Sequence, residues 1–139
     1  MLHSRIALAI ALAFLSGCSG TSRDATGRWL AILTLDSVGA LRRPSPPVRS
    51  VTGSVVLGRD NSGSYDIQLE TMLGFTQLDH VSWGPRGSDS LYLRLGTGGA
   101  DDGTLDLRGA VVTPDSITGE WFESRDCCGA RGRFVLVRP

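Results

Sequence analysis

Ser64-Tyr65-Asp66-Ile67-Gln68-Leu69-Glu70 places Tyr65, Ile67 and Leu69 on one side of an extended chain and Asp66, Gln68 and Glu70 on the other. A period of two is what a strand with one dry face and one wet face requires, and antiparallel sheets are where such strands occur. Upstream, Arg49 to Leu57 reads as another strand, ended by Gly58-Arg59-Asp60-Asn61-Ser62-Gly63, a strong turn signal. Before that, Gly27 to Leu35 sets Trp29, Ala31, Leu33 and Leu35 on one face. Asp36 to Val48 contains Pro44, Pro46 and Pro47, which a strand interior does not tolerate, so it is expected to be the long loop of the domain.

Downstream the same grammar repeats. Thr71 to Thr76 is a connection, and Gln77 to Trp83 a fourth strand ended by Gly84-Pro85-Arg86-Gly87. Ser90 to Leu95 points Leu91, Leu93 and Leu95 inward, and Gly96 to Gly103 turns the chain. Thr104 to Val112 sets Leu105, Leu107 and Val111 against Asp106 and Arg108, and Thr113-Pro114-Asp115-Ser116 is a tight turn. Ile117 to Ser124 and Arg133 to Arg138 form the last pair, joined across Arg125 to Gly132. No stretch sustains a 3.6-residue period. Eight short strands in hairpin order leave two raw edges unless the sheet closes, so the predicted fold is all-β: an eight-stranded antiparallel up-and-down β-barrel, with a two-sheet β-sandwich as the alternative. The outward positions carry Asp66, Glu70, Arg94, Asp106 and Arg108, which would be costly against lipid, so the barrel wall is expected to face water.

The N-terminus has a different character. Arg5 precedes Ile6 to Leu15, ten residues without a charge. A bilayer-spanning helix needs roughly 20 apolar residues, and this run is in the range of a signal-peptide core. Leu15-Ser16-Gly17-Cys18 follows, and it resembles the lipobox of bacterial lipoproteins. The resemblance implies cleavage before Cys18 and acylation of that cysteine; an ordinary secreted protein or an uncleaved anchor helix would be the other outcomes. Residues 1–17 are then a signal peptide, 18–25 a lipidated tether and 26–139 the barrel domain. Two or more acyl chains hold a protein to a membrane firmly where one does not. Ser19, rather than Asp, follows the cysteine, and by resemblance to the enterobacterial sorting pattern this points to the outer membrane.

Cleavage after residue 17 leaves 122 of the 139 residues, enough for one modest core. All fourteen basic residues are arginine; one lies in the leader, so thirteen face fourteen acidic groups in the mature chain. That balance offers no basic field for nucleic acid. The absence of lysine excludes Schiff-base lysine chemistry and a phosphate-loop lysine.

Gly27-Arg28-Trp29 resembles the Gly-x-Trp opening of lipocalins and related calycin barrels; avidin-type barrels begin similarly. The resemblance implies that Trp29 plugs one barrel end and that a late arginine, Arg133 or Arg138, packs across it by cation–π contact. It also implies a small apolar ligand in the barrel mouth, with Trp29, Tyr65, Trp121, Arg133 and Arg138 as candidate barrel-end or ligand-binding residues. Against an internal ligand stand the many bulky inward positions, which in strands of six to nine residues enclose little volume. The competing expectation is therefore a solid-core envelope protein acting on protein partners through its loops, Asp36 to Val48 and Arg125 to Gly132.

Cys127-Cys128 lies amid Arg125, Asp126, Arg131 and Arg133. Neighbouring α-carbons are about 3.8 Å apart, short of the usual 4.4–6.8 Å of a disulfide, so a vicinal bond there would be strained and easily reduced. A structural clip, a redox-sensitive loop and an intermolecular disulfide are the three outcomes. Neither a catalytic nor a metal site is expected, and no cofactor. After cleavage His80 is the sole histidine, with Asp79 and Ser82 too close in sequence to converge on it, while Glu120 and Glu123 fall on opposite faces of one strand. A non-enzymatic role follows as the expectation.

Overall fold

The computed structural model describes residues 24–39, 48–73, 80–96, 104–124 and 129–139. Eight strands run in chain order: β1 (Gly27–Ser37), β2 (Ser50–Leu57), β3 (Ser62–Ile67), β4 (Val81–Arg86), β5 (Ser90–Gly96), β6 (Thr104–Thr113), β7 (Ser116–Glu123) and β8 (Arg131–Val137), with a short helix α1 (Leu69–Leu73) between β3 and β4. Each strand pairs antiparallel with the next, and β8 returns to β1, from Leu30 opposite Val137 to Leu33 opposite Phe134 and beyond. The sheet is thus a closed eight-stranded up-and-down barrel, and the sandwich alternative falls.

Alternation puts every second residue inside. On β1 these are Trp29, Ala31, Leu33 and Leu35, and on β5 Leu91, Leu93 and Leu95, all buried. Closure at eight strands encloses an interior that side chains can fill, and here they do, with large residues set opposite small ones. The register supplies that match. Gly109 pairs with Gly119, and Gly119 with Phe134. A Cβ on Gly109 would come within 2.7 Å of the Phe134 ring. Trp121 pairs with Gly132, where a Cβ would lie 2.8 Å from the indole. Gly132 and Phe134 in turn face Leu35 and Leu33 on β1. Trp29, Phe134 and Trp121 are the bulkiest of the fully buried side chains, each 1 % exposed or less.

Two expectations require correction. The strand predicted through Glu70 ends at Ile67, and Leu69–Leu73 is helical. Leu69 is inward by the two-residue period, but Leu69, Met72 and Leu73 also recur at i, i+3 and i+4; all three are buried, and the helix lies against β2. Glu70 accordingly leaves the sheet.

The fourth strand, expected at Gln77 to Trp83, runs instead from Val81 through Pro85 to Arg86. Proline is admitted there for a geometric reason. Among the described residues β3 and β4 share only Ser62↔Ser82 and Gly63↔Val81, and the Trp83 amide donates to the Asn61 carbonyl on that same side. Two residues on, Pro85 turns its missing N–H towards the open side of β4, where no β3 residue pairs with it, while its other edge stays paired with Leu91 of β5.

Candidate functional site

The barrel end at which β1 begins is closed by the chain just ahead of that strand. The Trp29 indole Nε1 donates to the Ala25 carbonyl at 2.8 Å, folding Ala25 over the opening. The Arg138 guanidinium stacks 4.0 Å from the Trp29 ring centroid and donates to the carbonyls of Thr26 (2.6 Å) and Asp24 (2.9 Å). Gly27 holds a φ of +104°, a backbone conformation that side-chain-bearing residues rarely adopt, and a Cβ there would also lie 2.8 Å from Arg138 Nη1 and displace the guanidinium. Of the two arginines expected to cover Trp29, Arg138 does so. Arg133 is instead an outward residue bound to Asp36 by a bidentate ion pair (3.0 and 3.1 Å), its side chain 70 % exposed.

Between this closing segment and the β4–β5 hairpin lies a cleft of about 190 Å³. Ala25, Trp83, Pro85, Leu91 and Val111 give it an apolar floor, and Asp24, Asn61, Ser88 and Ser90 a polar rim. Val81, Trp83 and Pro85 pair with Leu95, Leu93 and Leu91, so Trp83 belongs to the inward row, yet it is only half-buried because the β3 side of β4 is open. Its indole Nε1 donates to the carbonyls of Gly58 (2.9 Å) and Ser62 (3.2 Å), tying the open flank of β4 to the β2–β3 turn.

That turn is itself braced. Asp60 accepts from the Ser62 hydroxyl (2.6 Å) and then from the Ser62 amide (3.2 Å), which in that order hold its carboxyl below the ordinary carboxylate range. The brace sets Asn61 at φ +62°, a left-handed conformation that Asn tolerates better than most residues, at the rim of the cleft. Asp24 is likewise held low, first by hydrogen bonds from Thr26 and then by the charges of Arg59 and Arg138.

The remaining candidates serve the framework. Tyr65 is buried, and its hydroxyl donates to the Gly96 carbonyl at 2.7 Å. Trp121 Nε1 donates to the carbonyls of Thr34 (3.2 Å) and Arg133 (3.1 Å). Trp29, Trp83 and Arg138 are thus gathered at one barrel end, while Trp121 and Arg133 sit toward the other. Glu120 and Glu123 do divide between the faces: Glu120 is exposed and Glu123 buried, its carboxylate accepting from the Ala130 amide at 3.4 Å. Cys18, Cys127 and Cys128 lie outside the described residues. Among the described residues no cluster of three His, Cys, Asp or Glu side chains is placed to hold a metal ion.

The outer wall carries a second polar constellation. Arg94 grips Asp106 with two bonds (2.6 and 3.3 Å), and the Tyr92 hydroxyl donates to the same carboxylate at 3.3 Å. Asp106, expected exposed, keeps its outward direction but is only 4 % accessible beneath these two neighbours. Burial, then the nearby Asp106 charge, pushes the Tyr92 hydroxyl above its usual value of 10.0. Arg86 and Arg94 flank the Tyr92 ring at 5.5 and 5.7 Å, and Arg108 covers Phe122 at 5.0 Å. Farther round, Leu30 and Ile32 stand 44 % and 40 % exposed along a shallow groove between β2 and β8.

Trp83 was not among the residues singled out from the sequence. The signal was there in the two-residue spacing of Val81, Trp83 and Pro85, but Gly84-Pro85 read as a strand end.

No family model, curated protein or solved structure matches the chain.

Proposed function

We propose that this chain is a lipid-anchored protein of the bacterial cell envelope, on the outer membrane, whose barrel is a binding module for a small molecule held at the Trp83 cleft rather than in the barrel lumen. The observation that carries the reading is the cleft itself: a half-buried tryptophan over an apolar floor, with a polar rim, at one barrel end. Small-ligand sites combine those features, mostly apolar walls with a few fixed polar groups. Against a lumenal site stand the inward, fully buried rings of Trp29, Phe134 and Trp121, which take up interior space such a ligand would need. The anchor rests on Leu15-Ser16-Gly17-Cys18, and the outward charges of the wall agree with a barrel that stands in water on a tether.

Two measurements test the two halves of this proposal. Mass spectrometry of the membrane-extracted chain is expected to find a diacylglyceryl-modified Cys18 at the N-terminus, lost together with membrane retention in Cys18→Ala; an unmodified chain still starting at Met1 sinks the anchor. Titration with small amphiphilic molecules is expected to change tryptophan fluorescence and raise the melting temperature, since a ligand bound only by the folded state stabilises it. Both responses should fade in Trp83→Phe; a response that survives there unchanged places the ligand elsewhere.

The alternative, a solid-core protein acting on envelope partners through its loops, is favoured by the same buried rings. It predicts silence across the titration.

A further inference from the structure

We infer that the Trp83 cleft receives a single neutral pyranose ring, so that the protein recognises a sugar; this rests on the proposal that the cleft is the binding site. Size makes the first selection. At about 190 Å³ the cleft falls below the roughly 300–1,000 Å³ of sites for drug-sized ligands, so a long acyl chain or a planar macrocycle does not fit, whereas one six-membered ring does.

The tryptophan makes the second. Its indole N–H is spent on the carbonyls of Gly58 and Ser62, which fix the ring by its edge and leave only a face to offer. An aromatic face is the negative pole of a quadrupole, complementary to the polarised C–H bonds on the flat side of a sugar ring.

The rim makes the third. The Asn61 amide can both donate and accept, and the Ser90 hydroxyl can do either; neither forms a hydrogen bond with another described residue, so both remain for ligand hydroxyls. Asp24 adds a carboxylate, but this charge already meets Thr26, Arg59 and Arg138. The cleft therefore does not select a cation, as a lone tryptophan with an unpaired carboxylate would. Neutral hydroxyls are what remain.

The test uses the full chain, purified in mild detergent and labelled with ¹⁵N. Three tryptophans give three indole N–H resonances, and Trp83→Phe assigns one of them. Methyl glucoside, methyl galactoside, methyl mannoside and N-acetylglucosamine are titrated separately, with benzyl alcohol as an apolar probe of similar size. At least one sugar is expected to shift the Trp83 resonance saturably and leave those of Trp29 and Trp121 in place. Its affinity, read in every variant from the backbone amide resonances that shift with the sugar, should fall about tenfold in Trp83→Phe, the equivalent of about 1.4 kcal/mol, and several-fold in Asn61→Gly, which accepts the left-handed backbone and removes the amide. A trisaccharide of the responding sugar separates the sources: tighter binding than the monomer marks a glycan chain, equal or weaker binding a free sugar.

Benzyl alcohol saturating the Trp83 signal while every sugar fails overturns the inference and spares the cleft. Failure of all probes at Trp83 overturns both. Sugar binding undiminished in Trp83→Phe overturns the inference as well.

Discussion

β6 and β7 are paired from Leu105↔Glu123 to Thr113↔Ser116, whereas β3 and β4 share only Ser62↔Ser82 and Gly63↔Val81 among the described residues. Both seams belong to one closed barrel, and they use their residues differently. The long seam places Gly109 against Gly119 and Leu107 against Trp121, spending its inward positions on packing. The short seam is fastened by side-chain and turn bonds, from Trp83 to the carbonyls of Gly58, Ser62 and Asn61, and it leaves an inward tryptophan half-open. Closure requires each strand to have two neighbours, but it does not require equal pairing along each seam. Where the ladder is short, there is room for a site.

The sharpest test of that contrast is a pair of tryptophan substitutions. Trp121→Ala, in the long seam, is expected to lose about 3–5 kcal/mol by urea unfolding, since it empties a packed interior and removes the donor to Thr34 and Arg133. Trp83→Phe, in the short seam, is expected to lose about 1 kcal/mol, the worth of its hydrogen bonding with most of the ring retained. Equal losses would mean that the short seam carries the core as much as the long one.

Next in size, Arg138→Met should lose about 2 kcal/mol through the missing stack on Trp29 and the two uncapped carbonyls. Arg133→Met, which removes an exposed ion pair, should leave the denaturation midpoint within error. A reversal would give the barrel-end role to Arg133 after all.

The smallest expected effect is in the alkaline limb. Tyr92 holds its proton more tightly folded than unfolded, so its contribution to stability is intact below pH 10 and is lost as pH rises through the higher folded value. Melting temperature should therefore decline above pH 10, and Tyr92→Phe should shrink that decline. An identical decline in the variant would deny Tyr92 any part in it.

The strand count and the closed barrel were legible because inward and outward residues alternate so regularly in β1, β5 and β6. What failed were places where two patterns share a residue. Leu69 satisfies both the strand period behind it and the helical spacing ahead of it, and only the packing of Met72 and Leu73 against the barrel decides between them. Pro85 is a strand breaker unless its nitrogen faces an unpaired side, which depends on how far β3 extends alongside β4. Asp106 has the parity of a surface residue, and its burial comes from Arg94 and Tyr92 on the neighbouring strand, which alternation along one strand does not report. The choice between Arg133 and Arg138 turned on register in the same way. Hydrophobic period fixes which side of a wall a residue occupies; who stands next to it across the wall is a property of the pairing.

The β1–β8 seam, in which Leu30 meets Val137, joins the first strand of the barrel to its last. During synthesis β1 emerges early and can pair with β2 at once, but its other edge must wait for nearly the whole domain. Such non-local closure is slow, and the waiting edge presents Leu30 and Ile32 to any chain nearby. Loss of the last strand would leave β1 and β7 open together, so truncation at the C-terminus is expected to produce aggregation rather than a smaller barrel. The order in which the strands become available is thus part of what keeps the open sheet from pairing with other chains before it closes.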